Sequence, residues 1–376
     1  MKLSILQEKL KEGLQIVERI CSKSISLPIL NNILLKTEKN FLIIEATDLK
    51  IGIRYQILSK VEKEGKVVIP SHLFSNFINF LPQKPVSLMA QNQILDIECE
   101  NYKTKIKGFN PDEFPILPKI TEGESLLCNI QDFCQGLSQV VDFPSLSTTK
   151  PEISGVFFSF QKDLIIMAAT DTFRLGEKKV YLKKPNSLTK EYSFILPQKT
   201  TRELINIFEA KEGEIKVYFS PNQVLFEFLM EEIPQPQIQL ISRLIEGDYP
   251  SYQEIIPKKF DTQVVLSKNE FLNQIKITSL FSGKSNEVKL TIDPKDQKIE
   301  FFSQSPDLGE HYSCLVGKIK GKAIEVSFNY KFLIDGLLNI KSSQIIFELN
   351  GEDRPGILKP FDDQSYIYIV MPIKRF

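Results

Sequence analysis

Apolar residues recur along the chain in two periods, and the order of these periods is the first feature that indicates a fold. Spacings of three and four, with charged residues between, are typical of an amphipathic helix, whereas short runs rich in Ile, Val and Phe are typical of strands. Pro followed by Ser marks a helix start, because Ser can cap the first turn. The first pass predicts a helix, a strand pair, two further strands and a second helix, at 3–20, 32–36, 41–46, 51–58, 66–69 and from Pro70-Ser71 onwards.

This order of elements is then repeated twice. In the second pass a helix at 130–141 precedes strands at 155–160 and 164–169, and Val156 lies as far before Asp171 as Ile33 lies before Asp48. The third pass matches less well but keeps the same spacing. It has a helix at 267–280, and Ser303 follows Val288 at the same distance as Asp48 follows Ile33. Three ordered sets of markers predict an α+β domain of about 125 residues that occurs three times.

A polar corner at the end of one predicted strand is the first candidate for function. Residues 167–175 read M-A-A-T-D-T-F-R-L, so a buried run ends in Thr170 and Asp171. Taken alone, this is a strand end with a turn Asp. Thr47-Asp48 is its counterpart in the first repeat, which makes Asp171 a shared corner residue rather than a catalyst. The distinctive part is therefore 172–175.

Composition and charge describe an ordinary globular protein without an evident compartment signal. The 376 residues carry 47 Lys and Arg against 47 Asp and Glu, so net charge favours no particular partner and leaves room for a local basic surface. The five Cys never form a C-x-x-C pair, which predicts reduced thiols and no zinc site. The amino-terminal segment has no apolar signal region, and no run is long enough for a membrane helix. We expect a soluble, cytoplasmic protein with no membrane partner.

Catalytic constellations are hard to find in the sequence. The chain has only His72 and His311, and it contains no nucleophile elbow, no zinc-protease motif and no Gly-rich phosphate loop. Asp48 and Asp171 belong to separate repeats and cannot act as a carboxylate pair. Two acidic doublets, at 231–232 and 362–363, are more typical of solvated loops than of a metal site. The sequence predicts a non-enzyme without cofactor or metal.

Several motifs, taken in order, resemble those of the bacterial sliding clamp, the beta subunit of the replicative DNA polymerase. The resemblance covers the whole chain. The residues that carry it are Ser26-Leu27-Pro28-Ile29-Leu30, Thr47-Asp48-Leu49, Ala169-Thr170-Asp171 with Arg174-Leu175, the run E-G-D-Y-P-S-Y at 246–252, Ile255-Ile256-Pro257, and Tyr368-Ile369-Val370-Met371-Pro372-Ile373.

The resemblance implies a processivity factor of DNA replication that makes and breaks no bond. Its fold would be three clamp domains, at 1–123, 124–257 and 258–376, with helices lining a ring and antiparallel sheets outside. Two protomers would join head to tail as a homodimer around duplex DNA, without sequence preference. The further partners it implies are the catalytic subunit of the replicative polymerase, a clamp loader and other proteins that carry a clamp-binding motif.

Three sets of site residues follow from the resemblance. An apolar groove at a domain junction would accept a short peptide, with polar groups at its rim holding the peptide backbone. This pocket would consist of Ile153 on a neighbouring strand together with Thr170, Thr172, Phe173, Arg174, Leu175, Pro250, Glu254, Ile255, Phe332, Pro355, Val370, Met371 and Pro372. The residues facing DNA would be Lys9, Lys11, Lys23, Lys150, Lys199 and Arg202, and the dimer contact would place Thr104 and Ile106 against Leu280 and Phe281.

Some positions depart from the family pattern, and other functions stay open at this point. Thr172-Phe173 replaces the common Gly-His, and Glu254 stands where some members have Arg, so the rim is more apolar and less basic. One alternative is a repeat-built enzyme with its site near Asp171 and Arg174, although no base or nucleophile accompanies them. Another is a monomeric scaffold of the same fold that only binds peptides.

Overall fold

The computed structural model describes residues 1–21, 25–120, 123–147, 149–183, 185 and 188–374 and has the predicted α+β character. Its helices are α1 Gln7–Val17, α2 Ser71–Phe80, α3 Ile130–Ser138, α4 Gln198–Phe208, α5 Lys268–Ser279 and α6 Tyr330–Asn339.

The strands of the first repeat are β1 Lys2–Leu6, β2 Asn32–Glu38, β3 Phe41–Thr47, β4 Ile51–Leu58, β5 Lys60–Lys63, β6 Gly65–Pro70, β7 Pro85–Gln91, β8 Ile94–Cys99 and β9 Tyr102–Lys107. Those of the second are β10 Ser125–Asn129, β11 Gly155–Phe160, β12 Leu164–Thr170, β13 Arg174–Tyr181, β14 Tyr192–Pro197, β15 Glu214–Phe219, β16 Gln223–Leu229 and β17 Pro236–Arg243. Those of the third are β18 Thr262–Ser267, β19 Glu287–Asp293, β20 Lys298–Ser305, β21 Gly309–Val316, β22 Lys318–Gly321, β23 Ile324–Asn329, β24 Gln344–Leu349, β25 Gly356–Pro360 and β26 Tyr366–Val370.

The chain divides into two compact units. The described residues of Met1–Gln131, Asn186–Thr189 and Glu203–Leu244 form unit 1, and those of Asp132–Pro185, Lys190–Arg202 and Ile245–Phe376 form unit 2. Unit 1 holds a five-stranded sheet, β5-β1-β7-β8-β9, and an eight-stranded sheet, β10-β15-β16-β17-β4-β3-β2-β6. Unit 2 holds a nine-stranded sheet, β14-β11-β12-β13-β26-β25-β24-β18-β22, and a four-stranded sheet, β21-β20-β19-β23.

Each repeat supplies two half-sheets, and successive repeats share their sheets. The first half-sheet of a repeat has four strands, as in β4-β3-β2-β6 of the first repeat. Three of them, β2, β3 and β4, are consecutive in the chain, and the fourth, β6, directly precedes the second helix, α2. In the second half-sheet the strand before the repeat's first helix joins the last three strands, as in β10-β15-β16-β17. The first half-sheet of the first repeat pairs with the second half-sheet of the second repeat through β4 and β17. In the same way, the first half-sheet of the second repeat pairs with the second half-sheet of the third through β13 and β26.

The first predicted helix was too long, because its beginning is a strand. Lys2–Leu6 pairs with β5 and β7, and its side chains alternate between exposed and buried, so that Leu3 and Ile5 face the core. The helix begins only at Gln7 and buries Leu10, Leu14 and Val17. Strand and helix adjoin without a turn, so the apolar spacing reads as one helical pattern.

Side-chain caps fix the starts of two helices in the third repeat. The Ser267 hydroxyl accepts a hydrogen bond from the Glu270 amide at the start of α5, and the Asn329 side chain accepts one from the Lys331 amide at the start of α6. Such caps satisfy amides that have no partner within the helix. The two helices contact each other, and α5 also contacts β20 and β21.

Candidate functional site

The polar corner between β12 and β13 is a tight turn built by its own side chains. The Thr170 hydroxyl donates to the Arg174 carbonyl at 2.7 Å and accepts from the Thr172 amide at 3.1 Å. One carboxylate oxygen of Asp171 accepts from the amides of Phe173 and Arg174, each at 3.0 Å. Thr172 has φ 79°, in the left-handed region that non-glycine residues rarely adopt. Asp171 is thus a turn residue, as the repeat pattern predicts.

Arg174 holds this corner to helix α6. Its guanidinium donates to the second Asp171 oxygen at 2.9 Å and forms an ion pair with Asp335. It also lies over the rings of Phe143 and Phe332, at 5.3 and 4.9 Å. Only 14% of the side chain is exposed. Its fork is already occupied within the fold, so Arg174 positions the corner rather than offering free donors to a ligand.

The charge of Arg174 is retained despite its burial. Burial alone would lower the pKa of this guanidinium, but Tyr368 and the carboxylates of Asp335 and Asp171 outweigh it, and the pKa lies above its ordinary value. Burial also raises the pKa of the Tyr368 phenol, which donates to the Phe332 carbonyl at 2.7 Å. The site therefore has a fixed cation surrounded by neutral aromatic rings.

The exposed part of the site is apolar and comes from three segments. The Phe173 ring, 59% exposed, stacks with Phe332 of α6 at 6.1 Å between ring centres. The Met371 amide donates to the Phe173 carbonyl at 2.8 Å, which places this half-buried Met beside the corner. On the linker before β18, Ile255 is 52% exposed and Pro250 and Glu254 are exposed.

A buried cluster lies beneath the corner and anchors the linker. Leu175 and Tyr252 belong to one apolar cluster with Ala168, Ile357 and Ile369, and Tyr249 packs against it. The Tyr252 hydroxyl donates to the buried carboxylate of Glu177 at 2.6 Å. Burial, and then the charge of Glu177, raises the pKa of Tyr252. The linker is thus held by rings at its start, while Ile255 stays accessible.

Several predicted pocket residues support the site without reaching its surface. Leu175, Val370 and Pro372 are buried, and Thr170 has its hydroxyl in the turn. Val370 pairs with Arg174 and with Gly356, the residue after the half-buried Pro355.

The expectation for Ile153 was wrong. This residue lies in the short 3-10 helix Pro151–Ile153 rather than on a strand, and its side chain is 3% exposed. Pro151 explains the difference, because proline fits the first position of a helical turn.

Sequence reasoning missed the residues that tie the site together. Asp335, Phe143 and Glu177 gave no signal in the sequence, because a partner for a turn Arg can come from any element. Tyr249 and Tyr252 could have been found from the sequence, since both lie in the run E-G-D-Y-P-S-Y at 246–252 that resembles the clamp family.

The candidate DNA-facing residues differ in the exposure of their side chains, and one of them forms an ion pair within the fold. Lys9 and Lys11 lie on α1 in unit 1, Lys9 exposed and Lys11 half-buried. In unit 2, Lys150 is exposed before the 3-10 helix, Lys199 is exposed on α4, and Arg202 forms an ion pair with Asp142 at 2.7 Å. Lys23 lies outside the described residues.

The candidate dimer residues lie on or near sheet edges. Thr104 and Ile106 are on β9, the last strand of its sheet, but the Ile106 side chain is 2% exposed and packs inward, so only its backbone reaches the edge. Leu280 is 68% exposed at the end of α5. Phe281 is half-buried and stacks on His311 of β21 at 5.5 Å.

The described residues contain no group of three or more His, Cys, Asp or Glu that could hold a metal ion. Across the same residues, no helix is both long and apolar enough to cross a membrane. In the described part of the chain, which includes all five cysteines, none of them forms a disulfide.

Comparison with known proteins gives likenesses along the whole chain. Models of the N-terminal, central and C-terminal domains of the DNA polymerase III beta subunit match residues 1–118, 133–251 and 253–374. The beta sliding clamp of Staphylococcus aureus is 28% identical over 363 residues, which cover 93% of each chain. The DNA polymerase sliding clamp of Bacillus subtilis has a TM-score of 0.92 at 26% identity, and the beta subunit of Thermotoga maritima 0.90 at 25%, each with both chains covered completely.

The repeated fold and these likenesses define the class as DNA sliding clamps. The chain belongs to the DNA polymerase III beta subunit family. It is a processivity clamp of DNA replication, a non-catalytic factor that works with DNA and with the polymerase. The predictions of the family, the fold class and the non-enzymatic role are confirmed.

Proposed function

We propose that the exposed groove formed by Phe173, Phe332, Met371 and Ile255 is where the polymerase attaches through a short peptide. The observation that carries this is the exposed Phe173 ring on a rigid corner, where it stacks on Phe332 and the Phe173 carbonyl accepts from the amide of the half-buried Met371. Rings and an adaptable Met suit Leu and aromatic side chains of varied peptides. Thr172 and Glu254 are the exposed polar groups at the rim.

The same groove would serve the clamp loader and other proteins with a clamp-binding motif, in a cytoplasmic protein of three domains at 1–123, 124–257 and 258–376. Lys9, Lys11, Lys150, Lys199 and Arg202, with Lys23, would hold duplex DNA through its phosphates. Such contacts carry no sequence information and leave the clamp free to slide.

Head-to-tail dimerisation follows the order of the sheets. The fourth strand of the second repeat, β13, pairs with the last strand of the third, β26, and the fourth strand of the first repeat, β4, pairs in the same way with the last strand of the second, β17. Continuing the series, β21 of one copy would pair with β9 of a second copy. In the described part of the chain, each of these strands ends its sheet with one edge unpaired. An unpaired edge is a ready template for another strand.

Peptide binding tests the groove. Phe173→Ala and Met371→Ala each remove exposed apolar surface and should weaken binding of a fluorescein-labelled peptide with Leu and Phe side chains by about tenfold, read by anisotropy. Phe361→Ala is the matched control, because Phe361 is 53% exposed in the same unit. Equal affinity for all three variants and the unchanged protein would refute the groove.

A further inference from the structure

The first repeat contains a second corner with the same backbone geometry as the site at Asp171. The Thr47 hydroxyl donates to the Ile51 carbonyl at 2.8 Å and accepts from the Leu49 amide at 3.0 Å. Asp48 accepts from the amides of Lys50 and Ile51 at 2.9 and 2.7 Å. Leu49 has φ 72°, close to the 79° of Thr172. The two turns are built by the same bonds.

The strand beside this corner is also arranged in the same way. The Arg243 amide, at the end of β17, donates to the Lys50 carbonyl at 2.9 Å, as the Met371 amide donates to the Phe173 carbonyl at 2.8 Å. Lys50 therefore occupies the place of Phe173, and Arg243 the place of Met371. The scaffold is retained, and the exposed Phe173 and the half-buried Met371 of the second site have cations in their places.

A linker completes the corner, as it does at the second site. A methyl group on Gly52 would lie 2.5 Å from Leu117, so this buried Leu packs directly on the strand where the second repeat has Leu175. The preceding residue, Ile116, is 94% exposed, and Leu49 is 44% exposed. An anchored linker thus presents an unburied aliphatic side chain beside the turn.

Between the corner, the linker and β17 lies a cavity of about 120 Å³, within unit 1. Its walls include Leu49, Pro115, Ile116, Pro118, Ile241 and Arg243. A space of this size holds one small apolar group.

The charges at this corner decide what it can accept. The Lys50 and Arg243 side chains are exposed, and among the described residues neither forms an ion pair or hydrogen bond. Asp48, the acid of the turn itself, accepts from the amides of Lys50 and Ile51. Two cations beside the exposed Ile116 and a cavity with both polar and aliphatic walls complement one aliphatic side chain flanked by carboxylates.

We propose that this corner, which we term the basic groove, is a second docking site of the clamp, for an acidic linear peptide of a partner protein. It lies in unit 1, whereas the groove at Phe173 lies in unit 2. Duplex DNA is the less suitable occupant, because phosphates would contact the two cations and leave the cavity and the exposed Ile116 uncovered.

Methyl NMR of the full-length protein with labelled Ile and Leu tests the proposal. The probe is acetyl-Gly-Asp-Leu-Glu-Gly-amide, compared with its neutral form acetyl-Gly-Asn-Leu-Gln-Gly-amide and with a 12-base-pair duplex. The acidic peptide should shift the methyl signals of Ile116 and Ile241 saturably, more strongly than the neutral peptide and less strongly at high salt.

Charge-reversal variants test directly whether the two cations bind the acidic peptide. Lys50→Glu with Arg243→Glu should weaken the acidic peptide at least about tenfold, since each exposed attraction contributes about two- to fivefold and is replaced by repulsion. Lys258→Glu with Lys259→Glu is the matched control, and Met371→Ala, in the other groove, should leave this binding unchanged. The proposal is wrong if the Ile116 and Ile241 signals do not move at millimolar peptide, if the neutral peptide binds equally well, or if only DNA moves them.

Discussion

Asp171 uses its two carboxylate oxygens for two different tasks. One accepts from the amides of Phe173 and Arg174, and the other pairs with the Arg174 guanidinium. The first task shapes the turn and requires only a carbonyl-type oxygen, whereas the second requires a charge. Asn in place of Asp would keep the hydrogen bonds from the turn amides and lose the ion pair with Arg174, so the two contributions can be measured separately.

Substitutions at Asp171 should therefore rank in a fixed order. Asp171→Ala removes both tasks and should lower the free energy of unfolding by about 2–3 kcal/mol, while Asp171→Asn should cost about 1 kcal/mol. Urea unfolding followed by circular dichroism measures both. The exposed Asp163→Ala serves as a control and should stay within about 0.5 kcal/mol of the unchanged protein. Equal losses for Ala and Asn would show that the ion pair contributes everything.

A buried Lys gives the fold a defined acid sensitivity. Lys178 on β13 is 8% exposed and donates to Asp363 and Ser365. Burial acts to raise the pKa of Asp363, but its bonds to Lys178 and Ser365 outweigh this and lower it. A carboxyl group with a lowered pKa stabilises the fold above its unfolded value of about 4, and this contribution is lost as pH falls through the folded pKa.

Asp363→Asn should reveal that sensitivity. The variant should be less stable than the unchanged protein at pH 7, and the gap should begin to shrink below about pH 4, where Asp363 becomes protonated in the unfolded state, and should close only below the lowered pKa of the folded state. Thermal unfolding between pH 7 and pH 3 measures it. Asp362→Asn, on the exposed neighbouring residue, should show no such gap at any pH. A gap as large at pH 3 as at pH 7 would contradict the ion-pair explanation.

At the level of single residues, the sequence predicted the turn but not its partners. Thr170 and Asp171 were identifiable because a turn Asp bonds to amides two and three positions onward. The ion pair of Arg174 with Asp335 joins residues far apart in sequence. The burial of Ile106 was not foreseen either, because an edge strand has one face inward and the alternation alone does not say which.

Among the elements, helices α1, α3 and α6 each approach a sheet closely through a glycine. A methyl group on Gly336 of α6 would lie 2.3 Å from the Tyr368 ring of β26, and one on Gly13 of α1 would lie 2.8 Å from the Tyr55 ring of β4. Each Gly costs helix stability, so it is retained where the ring needs the space.

Gly336→Ala should therefore destabilise the protein although Ala is the better helix former. The clash should cost about 1–3 kcal/mol net of the roughly 1 kcal/mol gained in helix propensity, because Tyr368 is fully buried and cannot move aside. Gly136→Ala in α3 is the matched comparison, since its close contacts include the flexible end of Met167 and its cost should be smaller. Thermal unfolding by circular dichroism ranks them, and the reverse order would contradict the argument.

The strands that precede each first helix show where element prediction failed. β1, β10 and β18 each run directly into a helix, so no Gly, Pro or loop separates the two periods. Their strand character comes from pairing with residues far along the chain, such as Leu3 with Leu88 and Leu126 with Val217. Tertiary pairing of this kind cannot be read from local spacing.

For the whole molecule, the repeat is more visible in the strand order than in the sequence. Every repeat contributes the same two half-sheets, and two of the three possible junctions between successive repeats occur within the chain. Repetition of the markers predicted the number of domains, but spacing along one chain cannot show which strands of different repeats pair.

The third junction is expected between two copies, and exposed side chains beside β21 offer the means to test it. Leu280, at the end of α5, is 68% exposed, and α5 contacts β21. An exposed Leu beside an unpaired edge strand is typical of an interface, because association would remove it from water. Leu280→Asp would place a charge in that contact and should convert a dimer into a monomer, since an unpaired charge is costly to bury.

Native mass spectrometry at micromolar concentration measures this outcome directly. The unchanged protein should have twice the 43.2 kDa mass of one chain, and Leu280→Asp the mass of one chain. Leu338→Asp is the matched control, because Leu338 is 60% exposed on α6 and lies outside the proposed contact, so that variant should stay dimeric. An unchanged protein of one-chain mass that also fails to stay on circular DNA would refute the closed dimer and favour a monomeric peptide-binding scaffold. If Leu280→Asp stayed dimeric, the two copies would have to meet elsewhere than at α5 and β21.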